Sequence, residues 1–202
     1  MTARVLVLVM ILASGFVSSA VNSQAEEIKP HYPAGTQEIG LTAGYLLPHR
    51  LTKKHVTKQE GPALMPSWGM VLHEPVGDGW YRGQTTVGAE VVYIEFREPV
   101  LTHGVGFTPK IKYTFVALNR LRPYVEFAGG PFWTDLGGRI PEESSRFNFI
   151  VTAGLGVSWF LTNQAALNVG YRFHHISNAG TRMPNLGINS SLPFAGFSFF
   201  FF

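Results

Sequence analysis

The sequence predicts an all-β fold, an eight-stranded antiparallel transmembrane β-barrel of the bacterial outer membrane. Three observations predict it: an apolar run near the N-terminus, a low content of charged residues, and a two-residue hydrophobic period that recurs along the chain. Of 202 residues, 46% are hydrophobic and 14% are charged, whereas soluble domains carry about 25% charged residues. We therefore expect much of the surface to face lipid rather than water.

The N-terminal run predicts export. Arg4 precedes an apolar stretch, residues 5–17, and small residues follow it at the spacing of a cleavage site. This pattern is typical of a secretory signal peptide over residues 1–20, with cleavage as late as residue 25 as the alternative. The stretch is short for a membrane-spanning helix, which needs about 20 residues. The remainder, residues 26–202, is predicted to form the barrel.

Composition excludes several other classes of protein. The chain contains no cysteine, so disulfides and thiolate metal sites are excluded. Its formal net charge is +3 and its Lys and Arg residues do not cluster beside aromatic residues, so nucleic acid is not expected as a partner. An apolar exported chain can enter a membrane as a closed sheet, in which every backbone N–H and C=O has a partner.

The strands are predicted from alternating residue types, since successive side chains of a strand point to opposite faces. In residues 147–161 every odd-numbered side chain is apolar, whereas the even-numbered residues are mostly small or polar. A transmembrane strand needs about 9–11 residues of this kind. In chain order, the predicted strands lie within residues 38–45, 67–73, 87–94, 105–115, 123–132, 147–161, 164–174 and 192–202.

Features between and within these strands complete the predicted barrel. The alternation loosens near Ile94, where a bulge would fit, and Phe202 ends the chain with the residue that outer-membrane barrels commonly show there. Breaker-rich segments predict loops at residues 48–66, 77–78, 134–146 and 178–191. Inward-facing charges are predicted to form a buried network of Glu90, Lys110, Lys112, Glu126 and Arg172. An eight-stranded barrel fills its lumen with side chains, which disfavours a transport channel.

The histidines fall into two groups. Five lie in predicted loops or near strand ends and are expected to be solvated or structural: His31, His49, His55, His73 and His103. His174 and His175 differ because they end a predicted strand. Being adjacent, they point to opposite faces of the sheet, so they are not expected to share a metal ion, and no metal site is predicted.

The strand that ends in these histidines carries the candidate chemistry. The alternation places His175 and Ser177 on its lipid-facing side, with Cα atoms roughly 6.5–7 Å apart. An imidazole within hydrogen-bonding reach can take the proton of a serine hydroxyl and make it a nucleophile. Such a polar pair on a lipid face costs free energy unless it is satisfied or functional. The pattern favours either nucleophilic catalysis or a polar pair at the aqueous rim.

Catalysis of this type also needs N–H donors that stabilise an oxyanion. The nearby candidates are Asn178, the backbone N–H of Gly180, and Asn185. An outward-facing site would suit a substrate that is itself a membrane lipid.

Two short segments carry a resemblance to a known family. Residues 174–180 read His-His-Ile-Ser-Asn-Ala-Gly, and residues 184–189 read Pro-Asn-Leu-Gly-Ile-Asn. With residues 73–76, 79–83 and 147–150, they resemble the PagL-type lipid A 3-O-deacylase (acyloxyacyl hydrolase) family. The similarity extends over most of the chain that follows the predicted signal peptide.

The resemblance implies a function and a place in the cell. Members of that family are eight-stranded outer-membrane barrels that hydrolyse the ester-linked 3-hydroxyacyl chain at the 3-position of lipid A, without a cofactor. It implies that Ser177 is the nucleophile and His175 the general base, with Asn178, Gly180 and Asn185 as the oxyanion group. The expected substrate is lipid A or lipopolysaccharide, and the expected location is the outer membrane.

One residue departs from the family pattern. The triad acid of the family is typically a Glu twelve residues after the serine, a position that Asn189 occupies here. Its side-chain carbonyl can accept the imidazole N–H but supplies no negative charge. In a serine protease the change from acid to amide lowers turnover by about 10⁴. Glu142 and Glu143, in another loop, are the alternative acids.

Two further hypotheses stay open. A non-catalytic barrel that binds lipid or supports the membrane would also fit, and the amide at position 189 favours it. A small channel or adhesin is disfavoured by the small lumen and short loops. The sequence leaves the oligomeric state undecided, with a homodimer as one expectation.

Overall fold

The computed structural model describes residues 31–49 and 58–201. It is a closed antiparallel barrel in which each strand pairs with its neighbours in the sequence and β8 pairs with β1. The strands are β1 Gln37–Pro48, β2 Gly61–Val71, β3 Gly83–Phe96, β4 Thr102–Phe115, β5 Leu121–Thr134, β6 Phe147–Phe160, β7 Ala165–Ser177 and β8 Ile188–Phe201. The eight-stranded barrel predicted from the sequence is therefore confirmed.

Other expectations fall on residues that are not described. These are the signal peptide and its cleavage site, His55, and the terminal Phe202, and all lie outside the described residues. Within residues 31–49 and 58–201, no helix is long and apolar enough to span a bilayer.

The alternation that predicted the strands also sets their faces. Leu41, Phe107 and Leu155 point outward and are each half-exposed or more, while Glu90 and Thr108 point inward and are buried. The outer wall is thus an apolar surface of strand side chains. Because the sheet closes on itself, the strand N–H and C=O groups pair within the wall, as a lipid environment requires.

Six strands begin earlier than predicted, and two of them begin well inside predicted loops. β2 starts at Gly61 and β8 at Ile188, so the loop predictions were wrong for residues 61–66 and 188–191. Proline is a strand breaker, which is why the start of β2 was predicted too late. The strand nevertheless accommodates Pro66, because this residue points outward and pairs with Leu41 of β1, and β2 forms no pair with β3 at this position. The register of β3 with β4 is unbroken. Toward β2 the register shifts by one residue between the Ala63–Ile94 pair and the Glu60–Glu98 bridge, so the chain just after Ile94 carries one extra residue and the predicted bulge is confirmed on that side.

The lumen holds the predicted network of charges. Arg172 Nη1 and Nη2 donate to the two carboxylate oxygens of Glu90 at 2.7 and 3.0 Å, and its Nε donates to Glu126 at 2.7 Å. Lys112 Nζ donates to Glu38 at 2.6 Å, a partner that the prediction omitted. The remaining predicted member, Lys110, contacts Glu90 at 3.4 Å. One pocket among these side chains measures about 20 Å³, close to the space of a single water molecule.

The two ends of the barrel differ. We call loop rim the ring of strand ends that adjoins loops 97–101, 135–146 and 178–187. The opposite ring carries the start of β1 and the end of β8. Ser177, the last residue of β7, therefore lies at the loop rim.

Candidate active site

The end of β7 presents two polar side chains to the outside of the barrel. His175 and Ser177 are half-buried and face outward, whereas His174 and Ile176 are fully buried and face inward. The predicted division of the strand into a lipid-facing and a lumen-facing side is confirmed at these four residues.

Three side chains form a hydrogen-bonded row on this outer face. His175 Nε2 lies 3.1 Å from Ser177 Oγ, and His175 Nδ1 lies 2.8 Å from Asn189 Oδ1. The β7–β8 register places Asn189 directly opposite His175, which is why residues far apart in the sequence meet here. The row therefore has a hydroxyl at one end, an imidazole between, and an amide at the other.

A glycine makes room for the imidazole. Gly187 has a positive φ of 70°, and a Cβ at this position would lie 2.7 Å from His175 Cε1. That distance is shorter than carbon atoms tolerate, so any larger side chain would displace the ring or the loop. The absence of a side chain at this position lets the ring lie against the loop backbone.

The loop after Ser177 is organised around one amide. Asn178 is buried, and its Nδ2 donates to Glu143 Oε1 at 2.7 Å and to the Arg182 carbonyl at 2.8 Å. Its Oδ1 accepts the N–H of Gly180 at 3.0 Å, and its own N–H donates to Asn185 Oδ1 at 3.3 Å. The structure thus brings together the three residues predicted as oxyanion donors, and two of them already donate within the loop.

Glu143 ties a second loop to this one. Its carboxylate is fully buried and also accepts the backbone N–H groups of Ser144 and Ser145 at 2.8 and 2.9 Å. Its backbone forms a bridge with Asn185, and the carbonyl of neighbouring Glu142 accepts the N–H of Leu186 at 2.9 Å. The Glu143 side chain therefore holds Asn178, while the partner of His175 Nδ1 is Asn189.

The geometry permits proton transfer between the first two members of the row. In the tautomer that carries its proton on Nδ1, His175 donates to Asn189 Oδ1 and accepts the Ser177 hydroxyl proton at Nε2. An imidazole at this distance can activate a serine as a nucleophile. Asn189 fixes the tautomer and the ring orientation but adds no negative charge.

The sequence missed a second Ser–His contact on the same outer face. His49 Nδ1 lies 2.9 Å from Ser191 Oγ, which also lies 2.7 Å from the Tyr171 hydroxyl. His49 was expected to be solvated or structural. Extending the alternation of β8 back to Ser191 would place that serine on the outer face, but its meeting with His49 joins residues 142 positions apart and has no local signal.

The other described histidines outside β7 have partners at the surface. His103 Nδ1 lies 2.7 Å from the Tyr93 hydroxyl, His73 Nδ1 lies 2.7 Å from the Glu74 carbonyl, and His31 lies 3.3 Å from the Glu74 carboxylate. Among the described residues, no three His, Asp or Glu side chains are grouped so that they could hold a metal ion.

Comparison with known proteins shows the family. The family model for lipid A 3-O-deacylase (PagL) matches residues 39–198. The chain belongs to the PagL lipid A 3-O-deacylase family. The resemblance drawn from residues 174–180 and 184–189 is therefore confirmed, and no curated protein sequence matches the chain.

Solved structures show the same fold as this PagL family member. The crystal structure of the outer membrane enzyme PagL is 23% identical and aligns with a TM-score of 0.55 over 79% of this chain and 97% of that one. Neisserial surface protein A is 16% identical, with a TM-score of 0.53 over 85% of this chain and 100% of that one. At these identities the likeness establishes the barrel alone, and the barrel is that of outer-membrane proteins.

Proposed function

We propose that this PagL family member is a lipid A 3-O-deacylase of the bacterial outer membrane. It would hydrolyse the ester that links a 3-hydroxyacyl chain to the 3-position of lipid A or lipopolysaccharide. The observation that carries the proposal is the Ser177–His175–Asn189 row on the outer wall. A site that opens toward lipid suits a substrate that never leaves the membrane.

The proposed reaction proceeds in two steps. His175 Nε2 takes the proton of Ser177 as its oxygen attacks the ester carbonyl, and the resulting imidazolium returns that proton to the departing sugar oxygen. A water molecule then gives a proton to His175 and attacks the acyl-serine ester. Collapse of that intermediate releases the 3-hydroxy fatty acid and restores the serine hydroxyl. The residues need no cofactor for either step.

The oxyanion of each intermediate needs N–H donors. We assign this role to Asn178, Gly180 and Asn185, which the loop holds beside Ser177. The NH₂ group of Asn185 takes no part in the bond between its carbonyl and the Asn178 N–H, so it is the donor best placed to turn toward substrate. The Gly180 N–H would exchange its bond to Asn178 Oδ1 for the oxyanion.

The proposed location follows from the barrel and the predicted signal peptide over residues 1–20. Outer-membrane barrels keep their termini and short turns in the periplasm and extend their longer loops outward. The loop rim and Ser177 would then face the cell exterior, at the level of the lipid A head groups. A homodimer stays a prediction, to be checked by chemical crosslinking of the protein in membranes.

A deacylation assay with two serine variants tests the proposal. Refolded wild-type protein is incubated with lipid A, and the lipid is analysed by mass spectrometry. We expect the wild type to remove one 3-hydroxyacyl chain and Ser177→Ala to remove none. Ser191→Ala is the matched control, since that serine also lies beside a histidine on the outer face. Loss of activity in Ser191→Ala with activity retained in Ser177→Ala would overturn the assignment of the nucleophile.

One observation favours a second candidate function, a non-catalytic barrel that binds lipid or supports the membrane. The amide of Asn189 stands where the family has a carboxylate, and it cannot stabilise an imidazolium by charge. This alternative predicts an intact lipid A after prolonged incubation with folded wild-type protein.

A further inference from the structure

A groove lies on the outer wall, and its nearest strand, β5, is two strands away from β7. It has a volume of about 320 Å³ and is lined chiefly by Tyr93, His103, Val105, Trp133, Asp135 and Arg146. These residues belong to β3, β4 and β5 and to the loop that follows β5. We call it the rim groove, because its residues lie within a few positions of the strand ends at the loop rim.

The rim groove has aromatic walls and two side chains that can donate hydrogen bonds, the imidazole of His103 and the guanidinium of Arg146. Tyr93 and His103 stack at 5.8 Å between ring centroids, and the Tyr93 hydroxyl lies 2.7 Å from His103 Nδ1. When the hydroxyl donates to Nδ1, the imidazole carries its proton on Nε2, which is then the donor on the opposite side of the ring.

Arg146 supplies the cationic group. Its Nε lies 3.8 Å from an Asp135 oxygen, and both side chains are more than half exposed. An ion pair of this length and exposure is weak and easily exchanged. A guanidinium offers five N–H donors in a planar fork that matches the geometry of phosphate. The pair with Asp135 engages the Nε position, so the Nη donors are the ones that a ligand can use.

The position of the groove relative to the bilayer indicates the depth of its occupant. Tyr93 and Trp133 are exposed on the outer wall near the loop rim, where amphipathic aromatic rings lie at the level of lipid head groups. Ser177 lies at the same rim. An ester at Ser177 and a polar group in the rim groove can therefore belong to lipids seated at one depth.

A row of aromatic rings connects the groove with the proposed nucleophile. Trp133 and Phe147 are 5.2 Å apart between ring centroids, and Phe147 and Phe149 are also 5.2 Å apart. Phe149 is paired across the sheet with Ser177. Since adjacent strands are about 4.8 Å apart, the near wall of the groove on β5 is roughly 10 Å from β7. That span is within the width of a single multi-chain glycolipid.

We propose that the rim groove binds a phosphate group of the lipid A molecule whose ester lies at Ser177. This inference rests on the proposed function, because it takes lipid A as the substrate. Arg146 and His103 contact the phosphate oxygens, and the aromatic row supports the acyl chains between groove and ester. The groove thereby orients a lipid that could otherwise present several esters to the same serine.

Binding measurements on an inactive protein test the groove. The Ser177→Ala protein in detergent micelles is titrated with bisphosphorylated lipid A and, separately, with the same lipid after phosphatase treatment. Arg146→Gln and His103→Gln are introduced into this background. Arg139→Gln is the matched control, since it removes an exposed arginine from the same loop, outside the groove lining.

We expect Arg146→Gln to weaken binding of the phosphorylated lipid about fivefold, as suits the loss of one exposed charge-assisted contact. We expect a smaller loss for His103→Gln and unchanged binding of the phosphatase-treated lipid by either variant. Equal losses for both lipids, or a loss in Arg139→Gln as large as in Arg146→Gln, would overturn the proposal. Unchanged affinity in Arg146→Gln would also overturn it.

Failure of the phosphate site in the rim groove and failure of the proposed deacylase activity would give different results. Because binding is measured without turnover, a wild type that binds phosphorylated lipid through Arg146 but releases no fatty acid would retain the groove and reject the deacylase. Conversely, an active deacylase whose affinity for phosphorylated lipid is insensitive to Arg146 would retain the enzyme and reject the groove.

Discussion

At the scale of single residues, the proposed site is a Ser177–His175–Asn189 row in which an amide takes the place of the carboxylate that is typical of the family. Asn189 Oδ1 accepts the proton of His175 Nδ1 at 2.8 Å, a normal hydrogen-bond length for this contact. The orientation of the imidazole is thereby retained. In the proposed reaction, the amide cannot stabilise by charge the imidazolium that would form when Ser177 loses its proton.

Restoring the carboxylate should accelerate the reaction. We expect Asn189→Glu to raise kcat by roughly 10- to 1,000-fold, below the approximately 10⁴ that separates acid from amide in a serine protease, because the longer Glu side chain must fit a position on β8 now held by a shorter amide. The measurement is the initial rate of 3-hydroxy fatty acid release. Asn189→Gln is the control for side-chain length, and a gain of equal size in that variant would contradict the electrostatic explanation.

The buried carboxylate of Glu143 should affect turnover without contacting the reacting atoms. We expect Glu143→Gln to lower kcat about tenfold, because the neutral amide weakens hydrogen bonds that hold Asn178 and its neighbours, and about 1.4 kcal/mol is a factor of ten. Fatty acid release gives the rate, and the gel mobility of the folded barrel shows that the fold is retained. Glu74→Gln, an exposed acid far from the loop rim, should leave kcat unchanged.

At the scale of elements, the alternation predicted most of the wall and less of the site. The middle of each strand could be identified from its apolar face, as in β6, where every second side chain is apolar. The strand ends could not, because Asn189, Ser190 and Ser191 carry no apolar side chain. Their strand conformation comes from pairing with β7, a long-range interaction that no local pattern reports.

The same limit applies to the loop contacts. The role of Asn189 was accessible through family resemblance, whereas the hold of Glu143 on Asn178 joins residues 35 positions apart on different loops. Two polar residues in breaker-rich segments give no local signal that they meet. The alternation did give the outward position of His175 and Ser177, because both continue the period of a long strand.

A charge in the apolar wall should destabilise the barrel. We expect Leu155→Arg, near the middle of β6, to lower the free energy of unfolding by about 2–4 kcal/mol, the cost of an arginine near the bilayer midplane. Urea titration of protein folded in lipid vesicles gives the value. Val76→Arg is the matched control, since Val76 is similarly exposed but lies in the turn between β2 and β3. A comparable loss in both variants would argue against burial of β6 in lipid.

At the scale of the whole molecule, the lumen network joins opposite parts of the wall. Arg172 on β7 reaches Glu90 on β3 and Glu126 on β5, and Lys112 on β4 reaches Glu38 on β1. The network therefore connects strands that are not neighbours in the sheet. Its contribution to stability comes from mutual neutralisation, since each charge would be costly if it were buried alone.

Removing one charged side chain of the lumen network should destabilise the barrel more than neutralising that side chain together with its partners. We expect Arg172→Leu to lower the free energy of unfolding by about 3–5 kcal/mol, because Glu90 and Glu126 are left without their main partner. Combining it with Glu90→Gln, Glu126→Gln and Lys110→Gln, so that no charge of this cluster is left without its partner, should recover most of that loss. Urea titration in vesicles measures both variants, and equal stability of the wild type and Arg172→Leu would refute a network held by mutual neutralisation.

Because Ser177 faces outward at the loop rim, the concentration that matters for its proposed reaction is the concentration of substrate within the membrane. A substrate confined to one leaflet meets the site by lateral diffusion, so its encounter rate follows its mole fraction in the leaflet rather than its amount per volume. Diluting lipid A with inert lipid would then slow the reaction as effectively as removing it. The fluidity of the leaflet and the packing of neighbouring lipids become kinetic variables, as they are for enzymes that act in two dimensions.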